Sequence, residues 1–200
     1  MQAFDSLSRD IQQYIYDKGW PSLTNIQSAA IKQVANTDHN LILSAPTASG
    51  KTEAAFIPAL NSVEDWETGL KVLYVSPLKA LINDQFQRIS ELSEYLDIPI
   101  TRWHGEVSQT QKRKVVNQPK GILLITPESI EGMLVNRPGE AEHLFKGVEW
   151  IIIDELHSFL GTERGIHLQS LLQRISPFMQ APRIIAMSAT LNKKDFGYAK

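Results

Sequence analysis

The sequence predicts an α/β fold with a central, mostly parallel sheet and helices on both faces. Short apolar runs recur along the chain. Most are continuous rather than alternating, as expected for strands buried on both faces of a parallel sheet. Helical patterns separate the runs, and this alternation is typical of doubly wound α/β proteins. The runs cover residues 41–45, 72–75, 100–103, 122–125, 150–153 and 184–187.

Helical periodicity organises the rest of the chain. Apolar side chains repeat at helical spacing over residues 78–96 and 166–179, which predicts two amphipathic helices. Pro58 falls inside the helix expected after the first strand, where it predicts a kink. Residues 1–40 are mostly helical in pattern. We expect them to form an N-terminal extension packed on an α/β domain of residues 41–200.

Composition limits the classes of protein that fit. The 200 residues are 42% hydrophobic and 21% charged, as in a globular chain with one sizeable core. The net charge of −2 gives no overall positive field, so any contact with nucleic acid must be local. The absence of cysteine excludes disulfides and thiolate metal sites. Because neither a signal peptide nor a membrane-length apolar run is present, we expect a soluble, cytoplasmic protein without a membrane partner.

A phosphate-binding loop is predicted directly after the first apolar run. The segment is Ala45-Pro46-Thr47-Ala48-Ser49-Gly50-Lys51-Thr52. Alanine takes the place of the usual first glycine, and a residue this small still lets the backbone approach a phosphate closely. N–H groups of residues 47–52 then point at the phosphates, the lysine reaches the outer phosphates, and the threonine hydroxyl binds magnesium. The sequence therefore predicts a nucleoside triphosphate site.

Two neighbouring acids, Asp154 and Glu155, follow the apolar run at 150–153. Carboxylates at the end of a buried strand need a cation or another partner. In phosphate-loop enzymes the first acid holds magnesium together with the loop hydroxyl, here that of Thr52. The second acid is placed to polarise the attacking water. The pair therefore predicts Mg²⁺ bound with the nucleotide.

Two further segments each combine a hydroxyl residue with a proline. They are Ser76-Pro77-Leu78-Lys79 and Thr126-Pro127-Glu128-Ser129. This order predicts an N-cap followed by the first residue of a helix, which is a complete structural explanation. It also permits a functional one, because helix N-termini bind phosphates and can hold a nucleic-acid backbone without reading its sequence.

The unusual residues all begin where a predicted strand ends. In open α/β sheets, ligands bind outside the carboxyl ends of the strands. We therefore expect these segments to form one active face. They are residues 45–52, 76–81, 104–106, 126–129, 154–157 and 188–190.

Taken in order, these segments resemble the motifs of the first motor domain of superfamily 2 helicases, across essentially the whole chain. Residues 24–27 are similar to the adenine-binding Q motif, although Leu23 and Asn25 stand where DEAD-box proteins have prolines. Within the superfamily, the amino-acid residues of these motifs are most similar to those of the Lhr-like (large helicase-related) group, with the Ski2-like enzymes as neighbours. The segments that carry this closer likeness are residues 77–81, 126–129, 154–157 and 161–165.

The resemblance implies a RecA-like phosphate-loop domain that binds ATP and Mg²⁺ and acts on DNA or RNA. By this resemblance, Lys51 neutralises the β- and γ-phosphates, Thr52 and Asp154 hold magnesium, and Glu155 activates the attacking water. Gln27 binds adenine. The residues implied in nucleic-acid contact are Ser76, Pro77, Lys79, Thr126, Pro127 and Glu128. Those implied in coupling the nucleotide state to strand binding are His157, Ser188 and Thr190.

The same resemblance raises the question of a second domain. Such helicases carry a second RecA-like domain with the arginine that stabilises the transferring phosphoryl group, and no motif of that domain occurs here. We therefore expect a fragment of a longer motor, whose partners are single-stranded or tailed DNA or RNA and a second domain in cis or in trans. Two alternatives stay open. One is a nucleotide-regulated nucleic-acid-binding module without turnover, and the other is a phosphate-loop ATPase that acts on a different partner.

Overall fold

A computed structural model describes residues 2–189 and 191. Six strands form one sheet. The strands are β1 Leu41–Ser44, β2 Gly69–Val75, β3 Ile100–Trp103, β4 Lys120–Ile125, β5 Trp150–Ile153 and β6 Arg183–Ser188. Their order across the sheet is β1-β6-β5-β2-β4-β3, and every pair of neighbours is parallel. The predicted fold class is confirmed, and the described sheet is entirely parallel.

Helices connect the strands and cover the sheet. The α-helices are α1 Arg9–Asp17, α2 Asn25–Asn36, α3 Lys51–Ser62, α4 Lys79–Tyr95, α5 Gln109–Asn117, α6 Pro127–Asn136, α7 Pro138–Phe145 and α8 Glu163–Ile175. Short 3₁₀ turns lie at Phe4–Ser6, Leu156–Ser158 and Ser176–Phe178. Among the described residues, no helix combines the length and hydropathy that crossing a membrane requires.

Alternate residues of the central strands pack into two separate hydrophobic cores, one on each face of the sheet. In β2, Val72 and Tyr74 pack on one face with residues of α1 to α4, whereas Leu73 and Val75 pack on the other face with residues of α6 to α8. This alternation follows from the two-residue repeat of a strand. Because both faces are covered, β2 and β5 are apolar and buried almost throughout. The predicted helices on both faces are confirmed.

The N-terminal segment shares one of these cores. Ile11 of α1 and Ile31 of α2 belong to the same cluster of buried side chains as Phe56 of α3. Pro58 lies inside α3, and the helix continues beyond it to Ser62. The division into an extension of residues 1–40 and a domain of residues 41–200 stays a prediction.

One of the two predicted helix starts is confirmed and the other is wrong. Thr126 caps α6 through its side chain, which accepts a hydrogen bond from the Ser129 N–H, and proline follows it as the first helical residue. In contrast, α4 begins only at Lys79 and has no side-chain cap. The N–H of Ser76 donates to the carbonyl oxygen of Ile125 at 3.1 Å, so residue 76 still belongs to the strand ladder and cannot cap a helix.

Candidate functional site

The predicted active face lies at the carboxyl edge of the sheet. Each of the six predicted segments directly follows, or begins at the last residue of, one of the strands β1 to β6. The parallel pairing places all of these strand ends at the same edge. Thr190, the last residue of the predicted coupling set, lies outside the described residues.

The phosphate loop joins β1 to α3 through two backbone positions in the left-handed region. Gly50, the N-cap of α3, has φ +82°, and Ala48 has φ +62°. Such a conformation is costly for alanine, so the surrounding structure must hold it in place. The loop also stays attached to the sheet, since the N–H of Ala45 donates to the carbonyl oxygen of Ser188 at 3.3 Å. The result is a fixed loop whose helix begins at Lys51.

The ammonium group of Lys51 lies over this loop. Its Nζ donates to the carbonyl oxygens of Ala45 at 2.6 Å and Pro46 at 2.7 Å. Both acceptors are neutral. The lysine charge is therefore available to an anion at the start of α3, where backbone N–H groups also favour negative charge.

Thr52 and Asp154 are both buried near the phosphate loop. The Thr52 hydroxyl donates to Gln85 Oε1 at 3.1 Å. Asp154 accepts hydrogen bonds from the Tyr74 hydroxyl and from the Glu155 N–H. Burial raises the pKa of Asp154, while these two hydrogen bonds and the charges of Lys51 and His157 oppose the rise.

The donor set formed by Thr52 and Asp154 fits magnesium. Hydroxyl and carboxylate oxygens are hard ligands, and Mg²⁺ usually takes one or two carboxylates together with phosphate oxygens and water. No group of three or more His, Cys, Asp or Glu residues with metal-binding geometry occurs in the described part of the chain.

Glu155 and His157 connect the acidic segment to the end of β6. Glu155 has φ +48°, an uncommon conformation for a residue other than glycine, asparagine or aspartate. Its Oε2 lies 3.2 Å from Nδ1 of His157. The same Nδ1 lies 3.4 Å from the hydroxyl of Ser188. Two of the predicted coupling residues thus meet, and one of them also contacts the predicted catalytic acid.

Gln27 has a local structural role at the start of α2. Its Oε1 accepts from the Thr24 N–H at 2.9 Å, while the Thr24 hydroxyl accepts from the Gln27 N–H at 3.4 Å. This reciprocal capping box begins α2. A Cβ placed on Gly50 would lie 2.7 Å from Gln27 Nε2. The amide group therefore bridges the start of α2 and the phosphate loop, and its oxygen is already engaged.

An open apolar hollow of about 520 Å³ lies beside this capping box. Its walls include the aromatic side chains of Phe4, Tyr16 and Trp20. Leu23 and Ser28, which flank Thr24 and Gln27 in the sequence, also line it. Flat aromatic walls suit a heterocyclic base, whereas the Gln27 side chain is buried and does not line the hollow.

The predicted nucleic-acid residues lie on the same edge but are held in different ways. Ser76 is fully buried, whereas Lys79 is exposed and paired with Glu106. Glu128, at the start of α6, pairs with Arg164 of α8 at 2.8 Å. Because the Glu128 carboxylate is negative and already paired, its geometry favours an indirect role over direct phosphate contact.

Two residues of this edge received no role from the sequence. Arg164 donates to the carbonyl oxygen of Pro77 at 2.7 Å in addition to Glu128. In the sequence, Arg164 is marked only by its place in the segment 161–165. That segment carries the resemblance to the Lhr-like group but predicts no role for its residues. His104 follows β3 and is buried, and neither ring nitrogen has a hydrogen-bond partner among the described residues. Burial lowers the pKa of His104.

The fold and this edge together define a class of protein. A strand, a loop and a helix capped by Gly50 lie at the same edge as two acids that follow a buried strand, which is the arrangement of phosphate-loop nucleoside triphosphatases. The family profile described as DEAD/DEAH box helicase matches residues 24–196. The chain belongs to this family.

Two curated relatives show which members of the family the chain is similar to. The chain is 30% identical to the ATP-dependent helicase Lhr-Core of Methanocaldococcus jannaschii, over 96% of this chain and 24% of that protein. It is 34% identical to the Lhr helicase/uracil glycosylase of Escherichia coli K12, over 84% of this chain and 12% of that protein. The chain therefore spans a quarter or less of the length of these two relatives, and it is homologous to their helicase regions.

Two solved structures share the fold of the whole chain. Helicase Lhr of Mycobacterium smegmatis, bound to ssDNA and AMP-PNP, superposes with a TM-score of 0.85 at 28% identity, over 98% of this chain and 26% of that one. The DUF1998 helicase MrfA, bound to DNA and AMPPNP, gives a TM-score of 0.82 at 27% identity, over 94% of this chain and 27% of that one. The RecA-like fold and the resemblance to the Lhr-like group are both confirmed.

Proposed function

We propose that this chain is the ATP-binding first motor domain of an ATP-dependent DNA or RNA helicase or translocase. The observation that carries the proposal is the meeting of the phosphate loop with the acidic pair. Both follow strand ends at the carboxyl edge of the sheet, where the Lys51 ammonium lies over the loop and Asp154 is buried. A lysine, a hydroxyl and two carboxylates around one loop are the groups that hydrolysis of a γ-phosphate requires.

Each group has a defined task in the proposed reaction. The N–H groups of residues 47–52 hold the phosphates, and Lys51 neutralises the β- and γ-phosphates. Thr52 and Asp154 hold Mg²⁺, which, when bound, neutralises the charge that develops on the phosphate oxygens. Glu155 orients the water for in-line attack and accepts its proton. Gln27 binds the adenine base beside the phosphate loop, and its Nε2, which lies next to Gly50, is the donor to the edge of the base.

The nucleic acid binds across the helix starts on the same edge. Pro77 and Lys79 precede and begin α4, and Thr126 and Pro127 begin α6. Their contacts are to the strand backbone, so binding is largely independent of sequence and weakens with salt. The contacts of His157 with Glu155 and Ser188 join the acidic segment to the end of β6 and support a role of these residues in coupling the nucleotide state to strand binding. The single-stranded DNA in the Lhr structure supports the choice of partner.

The chain requires a second domain for full activity. An arginine supplied from elsewhere raises phosphoryl-transfer turnover by about 10³–10⁵-fold, and the relatives are about four times longer or more. We therefore expect the isolated chain to bind Mg-ATP, to hydrolyse it slowly and not to unwind duplexes. The cytoplasmic location stays a prediction.

The test is steady-state ATP hydrolysis by this chain with and without single-stranded DNA and RNA, together with titration of a fluorescent ATP analogue. Glu155→Gln is the matched control, because it keeps the size of the side chain and removes its basicity. Measurable binding with slow turnover that falls further in the control supports the proposal. Robust unwinding by the isolated chain would contradict the need for a second domain. Failure of every oligonucleotide to bind at low salt would favour an ATPase with another kind of partner.

A further inference from the structure

Arg164 joins three segments of the carboxyl edge that are far apart in the sequence. It is the second residue of α8. Its Nη2 donates to the carbonyl oxygen of Pro77 at 2.7 Å and to Glu128 Oε1 at 2.8 Å. One guanidinium group thus contacts the segment before α4 and the first turn of α6, the two helix starts proposed to hold a nucleic-acid backbone.

The short connection from the acidic segment to Arg164 is tightly built. Phe159 is buried, and the guanidinium of Arg164 lies 5.8 Å from the centre of its ring. A Cβ on Gly165 would lie 2.0 Å from the Phe159 carbonyl oxygen, so only glycine allows this packing. The Thr162 side chain caps α8 by accepting from the Gly165 N–H. Arg164 is therefore held rigidly, nine residues after Glu155.

The start of α4 depends on this contact more than the start of α6 does. Leu78, the N-cap of α4, gives no side-chain hydrogen bond, whereas Thr126 caps α6. The segment before α4 is fixed instead by the strand bond of Ser76 to Ile125 and by the bond from Arg164 to the Pro77 carbonyl.

We propose that Arg164 is a positioning residue that fixes both helix starts as one phosphate-binding surface and links that surface to the acidic segment at residues 154–157. Its effect is to transmit the nucleotide state to nucleic-acid affinity. The proposal rests on the proposed function of the chain. Arg164 acts through Pro77 and Glu128 rather than on a phosphate directly.

The chain offers a matched control on the same two helices. Arg174 of α8 donates to Glu131 of α6 at 2.7 Å, and its side chain is 43% exposed, as is that of Arg164. Arg174→Ala therefore removes the same charge and an α6–α8 ion pair without touching the segment before α4. Hydrogen exchange and oligonucleotide affinity are measured for wild type, Arg164→Ala, Arg164→Lys and Arg174→Ala.

The two bonds from Arg164 to Pro77 and Glu128 form a clamp on the two helix starts. The exchange measurement tests this clamp without nucleic acid. We expect Arg164→Ala, but not Arg174→Ala, to increase amide exchange in residues 77–84 and 127–131. Equal exchange in the two alanine variants would overturn the proposal. If Arg164→Ala does not fold, Arg164→Lys decides the question, because the lysine Nζ lies one bond nearer the backbone than the Nη2 that makes both contacts. Intermediate exchange then supports the clamp, and wild-type exchange contradicts it.

The affinity measurement tests the coupling. With wild type, single-stranded DNA is titrated with and without AMP-PNP at several salt concentrations. We expect Arg164→Ala to reduce the AMP-PNP-dependent change in affinity by about fivefold or more and to leave the salt slope unchanged. A slope lower by about one unit would mean a direct phosphate contact and would overturn the positioning role. If the wild type binds no oligonucleotide, the proposed function fails, and the exchange result still decides whether the clamp exists.

Discussion

The charged side chains at the two ends of the parallel sheet differ in what they hold together. At the amino end, Arg183 donates to the carbonyl oxygens of Val34, Thr37 and His39, and it lies 4.5 Å from the ring of Trp150. These bonds attach the C-terminal end of α2 and the residues that follow it to the first residue of β6. At the carboxyl end, the ammonium of Lys51 contacts only two neutral loop carbonyls.

Other residues show the same contrast. Near the amino end, buried Lys71 pairs with Glu149 at 2.9 Å, and the indole N–H of Trp150 donates to Ser62 at 2.8 Å. Unpartnered buried atoms occur at both ends: the Ser49 hydroxyl and both ring nitrogens of His104 at the carboxyl end, and Arg183 Nε at the amino end, have no hydrogen-bond partner among residues 2–189 and 191. The contrast lies in the charged side chains, because those of the amino end join segments far apart in the sequence, whereas the bonds of Lys51 stay within its own loop. We infer that the charged groups of the amino end stabilise the fold, whereas Lys51 is available to a ligand.

The largest expected contrast comes from two glycines with positive φ, one at each end. A Cβ on Gly121 in β4 would lie 1.9 Å from the Pro99 carbonyl oxygen, and a Cβ on Gly50 would lie 2.7 Å from the Gln27 amide. We expect Gly121→Ala to lower the free energy of unfolding by about 3 kcal/mol, because the backbone itself must move. We expect Gly50→Ala to cost about 1 kcal/mol and to weaken ATP-analogue binding at least tenfold. Urea unfolding and fluorescence titration measure both quantities. A larger loss of stability in Gly50→Ala than in Gly121→Ala, or equally weakened analogue binding by folded Gly121→Ala, would break the contrast.

Arg183→Ala tests the amino end alone. The change leaves three backbone carbonyl groups without their donor, and we expect the free energy of unfolding to fall by about 2 kcal/mol. A chain of this size should then melt about 4–8 °C lower. Affinity for the ATP analogue, measured well below the melting temperature, should not change. A tenfold weaker affinity would show that the two ends are not separable.

Lys51→Ala is the corresponding test of the carboxyl end. Loss of a charged hydrogen-bond donor to the phosphates should weaken binding of the ATP analogue about 10–100-fold. Stability without nucleotide should stay within about 0.5 kcal/mol of wild type, because the lysine contacts only neutral loop carbonyls. Isothermal titration and thermal unfolding give the two values. Marked destabilisation with normal affinity would assign the lysine to the fold instead.

The smallest expected effect concerns His104 and pH. Burial, followed by the charge of Arg102, lowers its pKa below the ordinary value of 6.5, while Glu106 opposes the shift and Lys112 and Lys79 add to it. Below pH 6.5 the unfolded chain binds this proton more readily than the folded chain, so stability falls as the pH decreases from 6.5 toward the lower folded-state pKa. We expect His104→Leu to flatten this part of the stability curve and to leave stability at pH 8 equal or higher. Thermal unfolding from pH 8 to pH 5 measures the stability of wild type and His104→Leu. If stability depends on pH equally in both proteins, His104 is not the group responsible.

Local patterns predicted most of the secondary structure and the place of the site. The strand at residues 150–153 was found with its exact bounds, since four consecutive apolar residues between polar ones have few other interpretations. The Thr126 cap was found for a similar reason, because its hydrogen bond reaches only three residues ahead. The equivalent prediction for Ser76 failed because a strand bond to β4, which the local sequence does not reveal, holds that residue.

By itself, the sequence determined the alternation of strands and helices, the end of the sheet where the unusual residues collect, and the family resemblance. These depend on side chains within a few residues of one another, where burial and hydrogen bonding repeat with the period of the helix or strand. Only the tertiary structure decided the order of the strands, the contact of Gln27 with the phosphate loop and the clamp made by Arg164. The bond from Arg164 to Pro77 joins residues 87 positions apart, and such contacts exist only once the sheet has brought its strand ends together.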